Sequence, residues 1–151
     1  MIVYLRELGW EDYQISNVDE GMSTDVYKLV KNKDIFFLRI MPEGENASSQ
    51  VLAHNLVSAK GVLVPGCIAY EDFSSKLQGR SYMVVKDIGG WSLEKQIGEL
   101  GAVKDNKLIN QIVFEAGKQL AIINTIPVRG FGKISREQKE QKFLFATEKN
   151  Y

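Results

Sequence analysis

An α+β fold with its layers segregated along the chain is what this sequence predicts, and three observations predict it. Up to residue 86 the apolar residues recur with a period of two, in short runs separated by turn residues. One helical stretch interrupts those runs, from Ser49 to about Lys60. From Ser92 onward the period changes to about 3.6, and a long amphipathic stretch over 108–123 follows.

The chain has 151 residues, 44% of them hydrophobic and 25% charged, which is globular composition with room for a real core. Lys plus Arg and Asp plus Glu both number 19, so the net charge is zero. That balance gives no electrostatic reason to expect nucleic acid or an anionic membrane as partner. No apolar run reaches the roughly 18 residues a membrane helix needs. Met1–Leu8 is too short and too charged to read as a signal peptide. The single cysteine, Cys67, leaves no internal disulfide framework and fits a reducing compartment, so the expected location is cytoplasmic.

Taken in order, residues 1–12 read as a short lead-in helix or loop, and Tyr13–Val18 alternates as a half-buried strand does. A turn at Glu20-Gly21 leads into a strand through Val30, which makes a hairpin. Residues 35–41 form the third strand, with Phe36, Leu38 and Ile40 on one face and Ile35, Phe37 and Arg39 on the other. Met41–Asn46 is turn chemistry. The helix that follows places Leu52, Leu56 and Ala59 on one stripe and stops at Gly61. Ile68–Tyr70 and Arg80–Val85 are the fourth and fifth strands, and the fifth breaks at Lys86–Gly90. Ser92 can cap a short helix holding Leu93 and Ile97. Residues 127–132 read as a loop, and 135–151 as a highly charged tail with one Phe143-Leu144-Phe145 cluster.

The pieces Gly21–Lys28, Phe37–Ile40, Gly61–Pro65, Tyr82–Val85 with Ile88–Leu93, Gly117–Ile123 and Gly130–Gly132 stand in an order that resembles the aminoglycoside phosphotransferase family, small-molecule kinases of kinase-like fold. The resemblance runs over some 120 residues, from about Tyr13 to Ile134. It implies a protein-kinase-like N-terminal lobe: a five-stranded antiparallel sheet with one inserted helix, followed by the first helices of the C-terminal lobe. Residues 1–88 would be the nucleotide-binding small lobe, and 89–151 the linker and start of the helical lobe. The expected ligand is Mg-ATP or Mg-GTP.

Carried over residue by residue, the resemblance assigns Gly21, Ser23 and Thr24 to a hairpin tip over the phosphates. It assigns Arg39 to the strand-borne cation and Val85 to the back of the base pocket. The main chain of Lys86–Ile88 becomes the segment that reads the base. Two positions depart from the family pattern. Arg39 stands where a lysine is usual; it keeps the charge but presents a different fork. Gln50 stands where a glutamate should pair with that cation, and it can hydrogen-bond to Arg39 but not neutralise it. The sequence reaches Tyr151 without a His-Gly-Asp-type catalytic motif or a second, metal-binding Asp, and its single histidine, His54, lies in the small-lobe helix. Phosphoryl transfer needs those carboxylates. The expectation is therefore the N-terminal half of a phosphotransferase, inactive alone, with no catalytic or metal-binding residue of its own.

Each of these assignments has a plainer counterpart. Gly21–Thr24 also reads as an ordinary hairpin turn in which glycine supplies φ > 0. Arg39 also reads as a strand-end arginine snorkelling to water, and Gln50 as a plain helix-start residue. One histidine and one cysteine make no metal cluster. The rival function is a non-catalytic protein-interaction module built on the same lobe. Under the phosphotransferase reading the apolar face of the 108–123 helix would be left exposed, which favours self-association or a rearranged C-terminus, and a separately encoded C-terminal half could complete the enzyme.

Overall fold

The computed structural model describes residues 9–18, 24–90, 106–127, 131–134 and 143–145. Seven strands and two α-helices are assigned among them: β1 (Gln14–Val18), β2 (Asp25–Lys31), β3 (Asp34–Ile40), α1 (Ala47–Ser58), β4 (Cys67–Glu71), β5 (Tyr82–Lys86), α2 (Asn106–Ile123), β6 (Phe131–Ile134) and β7 (Phe143–Phe145). The first five strands form one antiparallel sheet in the order β1-β2-β3-β5-β4, and β6 pairs with β7 separately. The molecule is α+β, as the change of period predicts. Residues 92–97, expected as a short helix, and the hairpin tip at 19–23 lie outside the described residues.

Turn chemistry closes the hairpins. Lys31 pairs with Asp34, so β2 and β3 are joined through Asn32-Lys33 alone. Asn32 takes φ 57, a left-handed conformation that asparagine tolerates better than most residues. Between β4 and β5 a 3₁₀ turn at Ser75–Leu77 is followed by Gln78 and Gly79, with φ 57 and 84. The turn is closed by Gly79 N–H donating to Ser74 C=O at 2.8 Å. It drops Leu77 onto the sheet, buried.

The alternation of β2, β3 and β5 gives the sheet two different faces. On one, Tyr27, Leu29, Leu38, Ile40, Leu77 and Val84 form a buried cluster, with Trp10, Tyr13, Ile15 and Phe36 packed against it. Trp10 and Tyr13 meet edge to face at 5.0 Å, a geometry that aromatic quadrupoles favour. On the other face Met83 and Val85 pack with Met41, Ala47 and Val51, so α1 covers the β5 and β4 end of the sheet.

Three expectations need correction. The α1 stripe that enters the core is Ala47 and Val51, at i, i+4, not Leu52, Leu56 and Ala59. Leu52 and Leu56 lie one position round the helix from it and are half-buried, while Ala59 is exposed and outside the helix. The helix starts two residues earlier than periodicity gave because its first turn is capped from a distance: the Ser48 N–H donates to the Asp72 carboxylate at 2.8 Å, where Asn46 makes no side-chain cap. A cap from the loop after β4 leaves no local sequence signal. The third correction is at the C-terminal end, where Phe131–Ile134 and Phe143–Phe145, expected as loop and tail, pair as antiparallel strands.

Candidate functional site

The site expected from the sequence falls on the α1 side of the sheet, and its floor follows from the strand register. Phe37 lies opposite Lys28 on β2 and opposite Val85 on β5; Arg39 lies opposite Val26 and Met83. Directly paired residues share a face, so Val26, Lys28, Phe37, Arg39, Met83 and Val85 form two adjacent rows on one surface. Met83 and Val85 are buried beneath α1. Val26, Lys28, Phe37 and Arg39 are half-buried. The surface is thus apolar in body with two cations set into it.

Arg39 is the central residue. Among the described residues it has no ion pair and no hydrogen-bond partner. The expected contact from Gln50 does not form: the Gln50 amide Nε2 donates to Met41 Sδ at 3.3 Å, tying the start of α1 to the end of β3. Arg39 as a residue is half-buried, and with no carboxylate beside it among the described residues its charge could be met by an anion from outside the chain. Lys28, which sequence reasoning passed over, is likewise without a partner among the described residues. The signal that could have found it is parity: Val26 and Lys28 of β2 alternate in step with Phe37 and Arg39 of β3.

Val85 is 4% exposed, at the inner end of the same surface. The chain leaves the sheet directly after it, and the main-chain groups there are largely used. Lys86 N–H donates to Gly66 C=O at 2.9 Å, and Asp87 N–H to Ile35 C=O at 3.0 Å. The Asp87 carboxylate accepts from Gly89 N–H at 2.9 Å. Gly89 and Gly90 then take φ 70 and 95, conformations that glycine adopts without steric cost. The Ile88 N–H has no hydrogen-bond partner among the described residues. The side chains of Lys86 and Ile88 are exposed, and Lys86 has the parity of Val84, on the opposite face. Thr24 is half-buried at the bend that starts β2, while Gly21 and Ser23 lie outside the described residues.

A second polar group closes the same end of the sheet on the far side. Arg80 donates from Nη1 to the Asp25 carboxylate at 2.9 Å and from Nε to Met41 C=O at 3.0 Å. That arginine is satisfied, in contrast with Arg39. Burial, and then the Asp25 carboxylate, push the Tyr27 hydroxyl above its ordinary value, with Arg80 partly offsetting them. Burial likewise raises the Cys67 thiol, which makes it a poorer nucleophile. His54 points away from the site, its Nδ1 3.0 Å from Pro65 C=O, which makes Nδ1 the protonated nitrogen. Among the described residues no group of three or more His, Cys, Asp or Glu could hold a metal ion. No helix of the described residues is long and apolar enough to cross a membrane.

Chemically the arrangement can meet an anion at Arg39, lay a flat apolar group against the half-buried Phe37, and offer one main-chain donor at Ile88. No protein-family model matches the chain, and no match is found among curated proteins.

Proposed function

We propose that the chain is the nucleotide-binding small lobe of a kinase-like small-molecule phosphotransferase, as the resemblance to the aminoglycoside phosphotransferase family implies. The observation that carries this reading is Arg39, half-buried on the α1 face of β3 and without a partner among the described residues. A phosphate accepting two parallel N–H bonds would suit its guanidinium. Two further features support the reading. The helix is inserted between the third and fourth strands of a five-stranded antiparallel sheet, where the family has its own. The Ile88 N–H, without a hydrogen-bond partner among the described residues, is a donor that the resemblance would give to the base. A nucleotide would then lie along the face, base toward Val85 and Ile88, phosphates toward Arg39 and Thr24. In such enzymes the protein's part in phosphoryl transfer is mainly positioning and charge; Arg39 supplies one positioning charge.

The test is the melting temperature with and without millimolar Mg-ATP and Mg-GTP. A ligand at 100 times its dissociation constant adds about 2.7 kcal/mol, a shift of several degrees for a domain of this size. Arg39→Glu should abolish the shift. A cooperative melt that neither nucleotide moves would overturn the reading.

One observation favours a second reading, a protein-contact module. Val113, Phe114 and Leu120 of α2 are 59%, 67% and 58% exposed, more apolar surface than a lone helix usually leaves bare. A concentration-dependent mass by sedimentation, unchanged in Arg39→Glu, would support this alternative, and a strict monomer would remove it.

A further inference from the structure

We propose that Lys28 and Arg39 together form one anion seat on the α1 face of the sheet, and that its ligand is a compact polyanion of the phosphate type, met by both cations at once. The seat is independent of which way a nucleotide would lie, and of whether the ligand is one. What carries it is the way the sheet distributes its charges.

Strand register sorts every charged residue of the five-stranded sheet. Asp25 lies opposite Ile40, Asp34 opposite Lys31, Glu71 opposite Tyr82 and Lys86 opposite Phe36. Paired residues share a face, so all of these lie on the side of Tyr27, Leu29 and Leu38. There the charges answer one another, with Arg80 on Asp25 at 2.9 Å and Lys31 on Asp12 at 3.0 Å. Only Lys28 and Arg39 have the parity of the α1 face. No strand of the sheet sends an acid to that side, and α1 itself contains neither Asp nor Glu. Neither cation has an ion pair or a hydrogen bond among the described residues. A chain with zero net charge thus gathers two positive charges on one side of its sheet and all the sheet's acids on the other.

The same register sets the class of ligand. Lys28 and Arg39 occupy one diagonal of a square of four residues whose other diagonal is Val26 and Phe37. All four are half-buried, so each keeps surface that a ligand can reach. Diagonal positions have Cα atoms about 7–8 Å apart, within the reach of two long side chains converging on one group. An anion held between them offsets two like charges together and accepts charge-assisted bonds from an ammonium and a guanidinium. A monocarboxylate would answer one cation and leave the other. Two cations are too few to hold the extended charge of a nucleic acid. A phosphate or diphosphate group, with its negative charges in a small volume, matches the pair.

The experiment is calorimetric titration of the full chain with pyrophosphate at fixed ionic strength. The variants are Lys28→Gln, Lys28→Arg, Arg39→Gln and, as a control, Lys33→Gln, an exposed lysine in the β2–β3 turn. Gln keeps most of the length of lysine, and circular dichroism should report an unchanged fold in each. Lys28→Gln and Arg39→Gln should each weaken binding about tenfold, the worth of one charge-assisted hydrogen bond. Lys28→Arg should keep most of the affinity and Lys33→Gln all of it. Unchanged affinity in Lys28→Gln overturns the seat and leaves Arg39 a lone cation. An equal loss in Lys33→Gln overturns it too, because the anion would then be answering general charge. So does a wild-type chain that does not bind pyrophosphate, even where Mg-ATP or Mg-GTP raises its melting temperature. Pyrophosphate binding lost in both Gln variants, with no shift from either nucleotide, supports the seat while removing the nucleotide reading.

Discussion

Leu38 and Arg39 are adjacent in β3, yet they lie on opposite faces of the sheet and in opposite circumstances. Leu38 is fully buried among Tyr27, Leu29, Ile40 and Val84, beneath the loop that carries Leu77. Arg39 is half-buried among Val26, Phe37 and Met83, with no partner for its charge among the described residues. One face is packed by the chain's own side chains. The other is packed where α1 lies on β5 and left polar at β2 and β3. The difference shows how a strand with a period of two separates stability from binding: alternate residues can be substituted for one purpose with little effect on the other.

The largest effect should come from the packed face. Leu38→Ala removes a fully buried side chain from a cluster contributed by β2, β3, β5 and the β4–β5 loop, and should cost about 2–5 kcal/mol. Urea denaturation would measure it; a loss under about 1 kcal/mol would mean that the cluster collapses around the cavity, and that the two faces are less distinct than their burial implies.

Gly79→Ala sharpens the same comparison at the loop that covers this face. Gly79 has φ 84, and an added Cβ would meet the Phe73 ring at 2.8 Å. Phe73 is 73% exposed and can swing aside, so the cost is mainly the left-handed backbone, about 1 kcal/mol. A much larger loss would show that Phe73 is pinned.

The rim of the packed face adds a smaller term with a pH signature. Tyr27 binds its proton more tightly folded than unfolded, because burial and Asp25 oppose the phenolate. Its contribution is therefore fully present below the ordinary value of 10.0 and is lost as pH rises through the raised folded value. Cys67 and Tyr82 are raised by burial too and act in the same direction. Tyr27→Phe should flatten the alkaline fall in melting temperature, and an unchanged slope would assign it to the other two groups. Asp25→Asn, which breaks a pair whose side chains are 32% and 43% exposed, should cost only about 0.2–1 kcal/mol and lose its effect in high salt.

How far the sequence revealed this division can be seen at individual residues. The alternation of Phe36, Leu38 and Ile40 against Phe37 and Arg39 was legible because it depends only on strand parity. The partners of Arg39 were not, since Gln50 follows the backbone of α1, and that backbone is placed by Asp72, twenty-four residues beyond Ser48. Helical periodicity sets a residue's place on the helix but not the helix's rotation over the sheet, and the buried stripe is Ala47 and Val51. Phe131–Ile134 and Phe143–Phe145 are too short for alternation to show, and their pairing is visible only once both are in place. Lys28 was hidden for a different reason: a lysine in a strand normally reads as the solvated side, and only the register with Phe37 sets it beside Arg39.

The smallest expected effect on stability is the most informative. Arg39→Gln removes a charge that has no acid and no hydrogen-bond acceptor among the described residues, so the unliganded chain should change by no more than about 0.5 kcal/mol. The same substitution should weaken triphosphate binding about tenfold or more, since the lost bonds are charge-assisted. A stabilising or neutral change joined to lost binding is the behaviour of a residue kept for a ligand. Lost stability joined to unchanged binding would be the behaviour of a snorkelling arginine whose methylene stem packs on Phe37 and Met83. Measuring both quantities in one variant therefore decides whether the open half of this face is a binding surface or merely the thinner side of a sheet.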